Sequence, residues 1–284
     1  MTDREQPILQ ALGVTYGFPE RPRFLQSVSL DIAAGRCWGV IGPNGAGKST
    51  LLRLLAGLLT PSSGSLLLCG RPLGVISPRA RARQVAFLSQ HVPCDLPTTS
   101  REIVLMGRFP HRRFGLFESA ADFEVADAAL ATTEAGAFAD RPLASLSGGE
   151  AQRVHIAAAI AQQPAVLLLD EPTASLDLYH ELSIFSILRD LATREGLAVV
   201  VVTHDINLAA RFCTDVLLLD DGYPVAMGPP SEVIEPALLA SAYKVEISEA
   251  SVQGGSGRWM IPLRPLTSKE ADACDGRCDE RGDS

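Results

Sequence analysis

The sequence predicts an α/β protein built on a mainly parallel sheet, and three observations carry that expectation. Short apolar, β-branched runs alternate with stretches patterned at helical spacing, Val166 to Leu169 and Ala198 to Val202 being the plainest strands. A further strand, Cys37 to Ile41, leads into a glycine-rich loop and then a helix whose Leu51, Leu54, Leu55 and Leu58 recur on one face. No apolar run approaches the roughly 18 residues that cross a bilayer. Before these, Ile8 to Tyr16 and Val28 to Ile32 read as strands joined by a turn over Gly17 to Pro22. Gly57, Pro61 and Gly64 close the first strand–loop–helix unit. From Pro93 to Leu143 the pattern is helical and Ala-rich, as expected of a lobe inserted between sheet strands. The sheet resumes through Val216 to Leu219. Near the end, Val245 to Ser251 and Arg258 to Ile261 could pair across Gly254 to Gly257, and the polar stretch from Ser268 to Ser284 reads as a disordered tail.

Composition narrows the function classes. The chain has 284 residues, 46% hydrophobic and 20% charged, which is ordinary globular usage. Its formal net charge of −8, with no basic face, argues against nucleic acid as a partner, because neutralising phosphates takes a local surplus of Lys and Arg. The first residues lack a basic segment followed by an apolar one, so a cytoplasmic location is expected. Of six cysteines, Cys37, Cys69, Cys94 and Cys213 fall in or beside apolar segments and read as small buried hydrophobes. Cys274 and Cys278 lie in the polar tail, where two ligands do not complete a zinc site.

The chemistry begins at Gly42-Pro43-Asn44-Gly45-Ala46-Gly47-Lys48-Ser49-Thr50, which fits G-x-x-x-x-G-K-[ST] between a strand and a helix. Glycines let backbone N–H groups wrap a phosphate, the helix N-terminus adds its positive end, Lys48 reaches the terminal phosphates and Ser49 ligates Mg²⁺. A phosphate cradle also needs a carboxylate at the tip of a neighbouring strand. Asp170 and Glu171 stand there, the first placed to hold Mg²⁺ and the second to polarise an attacking water as general base. A third segment, Leu146-Ser147-Gly148-Gly149-Glu150, opens a helical run that Pro164 ends, which puts Ser147 and the glycines at a second anion-binding helix N-terminus.

With these segments in order, the chain resembles the ABC ATPases, and within them the ATP-binding subunits of bacterial importers for ferric siderophores, haem and cobalamin. The resemblance runs from about Ile8 to Leu263. It implies a P-loop NTPase cassette: a mainly parallel core sheet, an antiparallel β-subdomain and an inserted α-helical subdomain. On that reading residues 1–264 form the cassette, with the helical subdomain at about 91–164 and a short C-terminal helix and hairpin at about 231–264, and 265–284 form the tail. Ser147 to Glu150 resemble the signature motif, Glu150 standing where many members carry Gln. Asp177, in Ser175-Leu176-Asp177, matches the segment that follows the strand-end acids. His204, in Thr203-His204-Asp205, matches the switch histidine, Gln90 the loop glutamine that links Mg²⁺ and the attacking water to the helical lobe, and Tyr16 the aromatic residue that stacks on adenine.

What the resemblance implies for function is ATP hydrolysis with Mg²⁺ by two copies arranged head to tail, each nucleotide lying between one copy's Gly42 to Thr50 loop and the other's signature. The partners implied are a second copy, a polytopic membrane permease contacted through the helical subdomain and, indirectly, a substrate-binding protein, at the cytoplasmic face of the inner membrane. Gly107-Arg108-Phe109-Pro110-His111 and the run from Thr203 to Cys213 resemble the iron-chelate and cobalamin group. A zinc or manganese importer ATPase, or a soluble ABC ATPase of iron–sulfur assembly, would share the same chemistry. Arg108, His111, Arg112 and Arg113 read either as a solvated cationic loop or as a contact for the permease helix.

Overall fold

The computed structural model describes residues 6–90, 92, 97–112, 118–174, 176–251 and 258–267. In chain order its elements are β1 (Leu9–Phe18), β2 (Arg21–Ile32), β3 (Cys37–Ile41), α1 (Lys48–Leu55), β4 (Ser63–Leu68), β5 (Arg71–Pro72), α2 (Pro78–Ala82) and β6 (Val85–Leu88). There follow α3 (Ser100–Met106), α4 (Ala120–Thr132), α5 (Gly148–Ala161), β7 (Val166–Asp170), α6 (Leu178–Thr193), β8 (Ala198–Val202) and α7 (Ile206–Phe212). The chain closes with β9 (Asp215–Asp220), β10 (Tyr223–Gly228), α8 (Pro230–Val233), α9 (Pro236–Tyr243), β11 (Val245–Ser251) and β12 (Arg258–Pro265).

Strands β3, β7 and β8 are buried at every position, which is why they read as unbroken apolar runs rather than alternating ones. They belong to a six-stranded sheet in the order β10-β9-β3-β8-β7-β6, parallel except for β10 at one edge. Successive residues serve opposite faces. Val200 and Val202 pack with α1 and with β1, β2 and β4 of a second, antiparallel sheet ordered β2-β1-β4-β5, while Val199 and Val201 pack with Phe185, Leu188 and Phe212 of α6 and α7. A third apolar cluster, with Val104, Leu130, Val154 and Ala157, joins α3, α4 and α5.

The mainly parallel sheet, the antiparallel sheet and the helical segment correspond to the expected fold class. Several details differ. The first turn shrinks to Pro19 and Glu20, because β1 and β2 pair as far as Phe18 and Arg21. Cys69 is exposed: it turns the chain between β4 and β5 at a positive φ of 49° and is not a core residue, unlike buried Cys37 and Cys213. Cys94, Cys274, Cys278 and Arg113 lie outside the described residues. The expected C-terminal hairpin is present as β11 and β12, with β12 running on to Pro265.

Arg108 overturns its own reading as a cationic surface residue. It is 7% exposed and ties the inserted helices together, donating from Nε to Asp122 at 3.0 Å and from Nη1 to the Ala161 carbonyl at 2.7 Å and to Gln163 Oε1 at 2.9 Å. His111 and Arg112 are likewise half-buried, on the Gln162 carbonyl and Glu118. The Asp122 carboxyl is held down at about 2, first by the Ser119 hydroxyl of its own helix cap and then by Arg108. Arg108→Met should therefore cost about 2–3 kcal/mol, since it leaves one oxygen of the Asp122 carboxylate and two carbonyl acceptors without their donor at a partly buried site. A urea unfolding midpoint that stays within error of wild type at constant slope would contradict this account.

Candidate functional site

Four of the parallel strands lie side by side in the order β3, β8, β7, β6, so their C-terminal ends form one continuous edge. The segments leaving that edge are the glycine-rich loop after β3, His204 after β8, Glu171 after β7 and Gln90 after β6. Residues that are scattered along the chain become neighbours for that reason alone. In open sheets of this kind the carboxyl edge is where ligands bind.

In the loop, Asn44 and Gly45 are exposed, Ala46 and Gly47 are buried, and Lys48, Ser49 and Thr50 form the first turn of α1. Lys48 is 5% exposed, and its ammonium donates to the carbonyls of Gly42 at 2.7 Å and Pro43 at 2.9 Å. Burial lowers its pKa, against the attraction of Glu171 and Asp170. Ser49 Oγ donates to Asp170 Oδ1 at 2.9 Å. Asp170, 3% exposed at the end of β7, has its pKa raised by desolvation despite that hydrogen bond, and the neighbouring Glu171 adds to the rise. A buried cation resting on backbone carbonyls and a hydroxyl–carboxylate pair make a donor set that fits a magnesium nucleotide: three oxygens for the metal and one positive charge for phosphate.

Glu171 departs from the strand at a φ of +50°, while its N–H still donates to the Val202 carbonyl at 3.1 Å. A non-glycine residue in that region is held against local strain, of the kind found at functional sites. The turn aims its carboxylate between two partners: Gln90 Nε2 donates to Oε2 at 2.5 Å, and His204 Nε2 lies 2.5 Å from Oε1. His204 is set by its neighbours. The Asp205 N–H donates to Thr203 Oγ1 at 3.1 Å, and Asp205 caps α7 through the Leu208 N–H at 2.9 Å. Beside Glu171 and His204 opens a cavity of about 480 Å³ whose walls include Thr173, Leu176, Glu181, Asn207 and Met260.

The remaining candidates are engaged elsewhere. Ser147 caps α5, its hydroxyl accepting the Glu150 N–H at 3.3 Å, while the Glu150 carboxylate accepts the Ser147 N–H at 2.8 Å. The Ser147 hydrogen bonds of that capping box, and to a smaller extent the charge of Arg141, lower the Glu150 pKa. Gly148 leads the helix, and Gly149 is a position where a Cβ would overlap the His180 ring, so packing against the N-terminus of α6 is enough to demand glycine there. Asp177 caps α6 by accepting the His180 N–H at 2.9 Å. Tyr16 stands edge-on to Phe18, and Phe18 to Phe24, whose ring lies under Gly47. In the sequence only the spacing of aromatic residues across β1 and β2 marks Phe18 and Phe24 as neighbours of Tyr16.

Residues 25–174 match the family described as ABC transporter. This chain belongs to that family. Among its relatives, the cobalamin import ATP-binding protein BtuD of Halobacterium salinarum is 42% identical over 251 residues, which are 88% of this chain and 62% of the relative. The chain thus spans about three fifths of the length of that relative. The hemin import ATP-binding protein HmuV of Nocardia farcinica is 43% identical over 244 residues, 85% of this chain and 83% of the relative. Among solved structures, an inward-facing metal-chelate type ABC transporter superposes with a TM-score of 0.79 at 28% identity, over 90% of this chain and 97% of the other. The dimeric bacterial ABC transporter cassette MJ0796 superposes at 0.70 with 30% identity, over 78% and 98%.

Two tests follow from the geometry of this ABC cassette. Folding raises the Asp170 pKa, so the stability this group contributes below its unfolded pKa is lost as pH rises through the folded value, and at neutral pH its charge is a net cost. Asp170→Asn keeps the acceptor for Ser49 and should raise the nucleotide-free melting temperature, by roughly 2–4 °C per kcal/mol relieved. A melting temperature at or below wild type would refute the cost. Separately, Gly149→Ala should destabilise through its clash, and His180→Ala should restore most of the loss. Equal destabilisation with and without His180 would show that the two do not meet.

Proposed function

We propose that this chain binds ATP with Mg²⁺ and hydrolyses it, energising import of a metal chelate of the ferric siderophore, haem or cobalamin type through a separate membrane permease. The observation that carries the enzymatic part is the convergence of Gln90, Glu171 and His204 beside the Ser49–Asp170 pair on one sheet edge. The cargo class is supported by the similarity to cobalamin and hemin import proteins, which favours chelates over zinc or manganese.

In this reading the Gly42 to Gly47 backbone and the α1 N-terminus cradle the phosphates, and Lys48 leaves its two carbonyls to pair with them. Ser49, Asp170 and Gln90 would hold Mg²⁺, which neutralises charge on the phosphate oxygens when bound. Glu171 accepts a proton from the attacking water as the water oxygen bonds to the terminal phosphorus and the bond to the leaving phosphate breaks. His204 and Gln90 grip the Glu171 carboxylate from either side and fix where it points. Tyr16 stacks on the adenine.

Ser147 to Glu150 hydrogen-bond within their own helix cap, and a second copy, turned head to tail, brings that helix N-terminus and Asp177 to the nucleotide. The helical subdomain at about 91–164 meets the permease, which in turn receives cargo from a substrate-binding protein. The chain then works as a peripheral subunit on the cytoplasmic face of the membrane, and no helix among its described residues is long and apolar enough to cross one.

Glu171→Gln decides the enzymatic part. Bound ATP should be retained, turnover should fall by about 10²- to 10⁴-fold, and the variant should elute as a dimer when ATP is present. Turnover near wild type would remove Glu171 from the role of base, and a monomer at saturating ATP would remove the paired arrangement.

A further inference from the structure

The C-terminal helix α9 ends in Tyr243, whose hydroxyl oxygen accepts the Gly42 N–H at 2.8 Å, a contact between residues 201 apart in sequence. Gly42 opens the phosphate loop. It sits at a φ of +144°, and a Cβ there would run into the Leu219 carbonyl, so the position takes glycine, whose backbone is intrinsically free unless something else restrains it. Its carbonyl is one of the two anchors of Lys48.

Tyr243 is itself well held. Its ring packs against the apolar cluster that contains Leu239, Val216 and Leu218. After it, Lys244 turns the chain at a φ of +55° into β11. The hairpin is then fastened by Asn207, which exchanges two hydrogen bonds with the Met260 backbone at 2.8 and 3.2 Å, and by Arg258 on Glu235 at 3.0 Å. Burial, with a smaller push from Asp220, raises the phenol to about 12, so the hydroxyl is neutral throughout the working pH range.

We propose that Tyr243 is a positioning residue for the phosphate loop: its hydroxyl presets the Gly42 backbone before nucleotide arrives. The inference rests on the ATP-binding reading above. Order imposed beforehand is order that binding does not have to create, so the hydroxyl acts on affinity. It touches no reacting atom, so it leaves the chemical step alone.

Tyr243→Phe in the full chain removes one oxygen and keeps the ring. The ATP dissociation constant and KM should each rise about 5- to 20-fold, the effect of an orphaned buried N–H expressed in the loop, while kcat stays within about twofold. Hydrogen exchange at the Gly42 amide should quicken in the nucleotide-free protein, and the affinity ratio should be the same at neutral and mildly alkaline pH. Unchanged affinity and KM, whether or not the melting temperature falls, would reduce the hydroxyl to a tie between α9 and the sheet and overturn the proposal. So would a loss confined to kcat. Wild-type protein that fails to bind ATP would instead sink the nucleotide reading itself, so the two failures are told apart by the control.

Discussion

The Glu171 carboxylate, gripped by Gln90 on one oxygen and His204 on the other, is the contact around which the candidate site is organised. It exists because β6, β7 and β8 are adjacent and parallel, so the residues that leave their ends meet at one edge. A slip of one residue in the pairing of Leu169 with Val201, or of Leu88 with Leu169, would turn alternate side chains to the opposite face and separate the three groups. The register in turn is fixed by burial on both faces, with Val199 and Val201 serving one apolar cluster and Val200 and Val202 the other. Packing thus sets the chemistry's geometry, and the positive φ of Glu171 is the local strain that packing sustains.

The same edge holds groups that folding alone does not favour. Lys48 and Asp170 are nearly inaccessible, and desolvation moves each toward its neutral form. Their partners in the protein, two carbonyls and a hydroxyl, satisfy hydrogen bonds but do not neutralise charge. A site with a buried cation and a buried carboxylate suits a ligand of opposite pattern, anionic phosphate with a divalent metal. Stability is lower than an apolar substitution would give, which is the usual tension between a fold and its function.

Around this centre the structure divides its supports between near and far parts of the chain. Local caps place His204 and Ser147, through Thr203 and Asp205 in one case and Glu150 in the other. Distant elements restrain the rest: His180 of α6 dictates glycine at position 149, and Tyr243 of α9 reaches Gly42, the first residue of the glycine-rich loop. The C-terminal segment touches the site's surroundings at two places, since Asn207, just beyond His204, holds β12 through Met260.

Sequence by itself determined what is local or periodic. The limits of β3, β8 and β11 follow from unbroken apolar or bounded β-rich runs, and Lys48, Ser49, Asp170 and Glu171 follow from motifs whose spacing along the chain is the chemistry's own spacing. The helix N-terminus at Ser147 is legible as an acceptor residue ahead of a helical run, whereas the cap that Asp177 makes on α6 is not. What depends on distant pairing was not. Arg108 reads as a surface cation beside His111 and Arg112, yet Asp122, Ala161 and Gln163 fold over it. Cys69 reads as core beside Leu66 and Leu68, yet it takes the turn after them. Gln90 at Glu171, His180 against Gly149 and Tyr243 on Gly42 have separations of dozens to hundreds of residues, and no periodicity encodes them. Only the order of strands in the sheet, decided by which apolar faces could be buried together, brought those side chains within hydrogen-bonding reach.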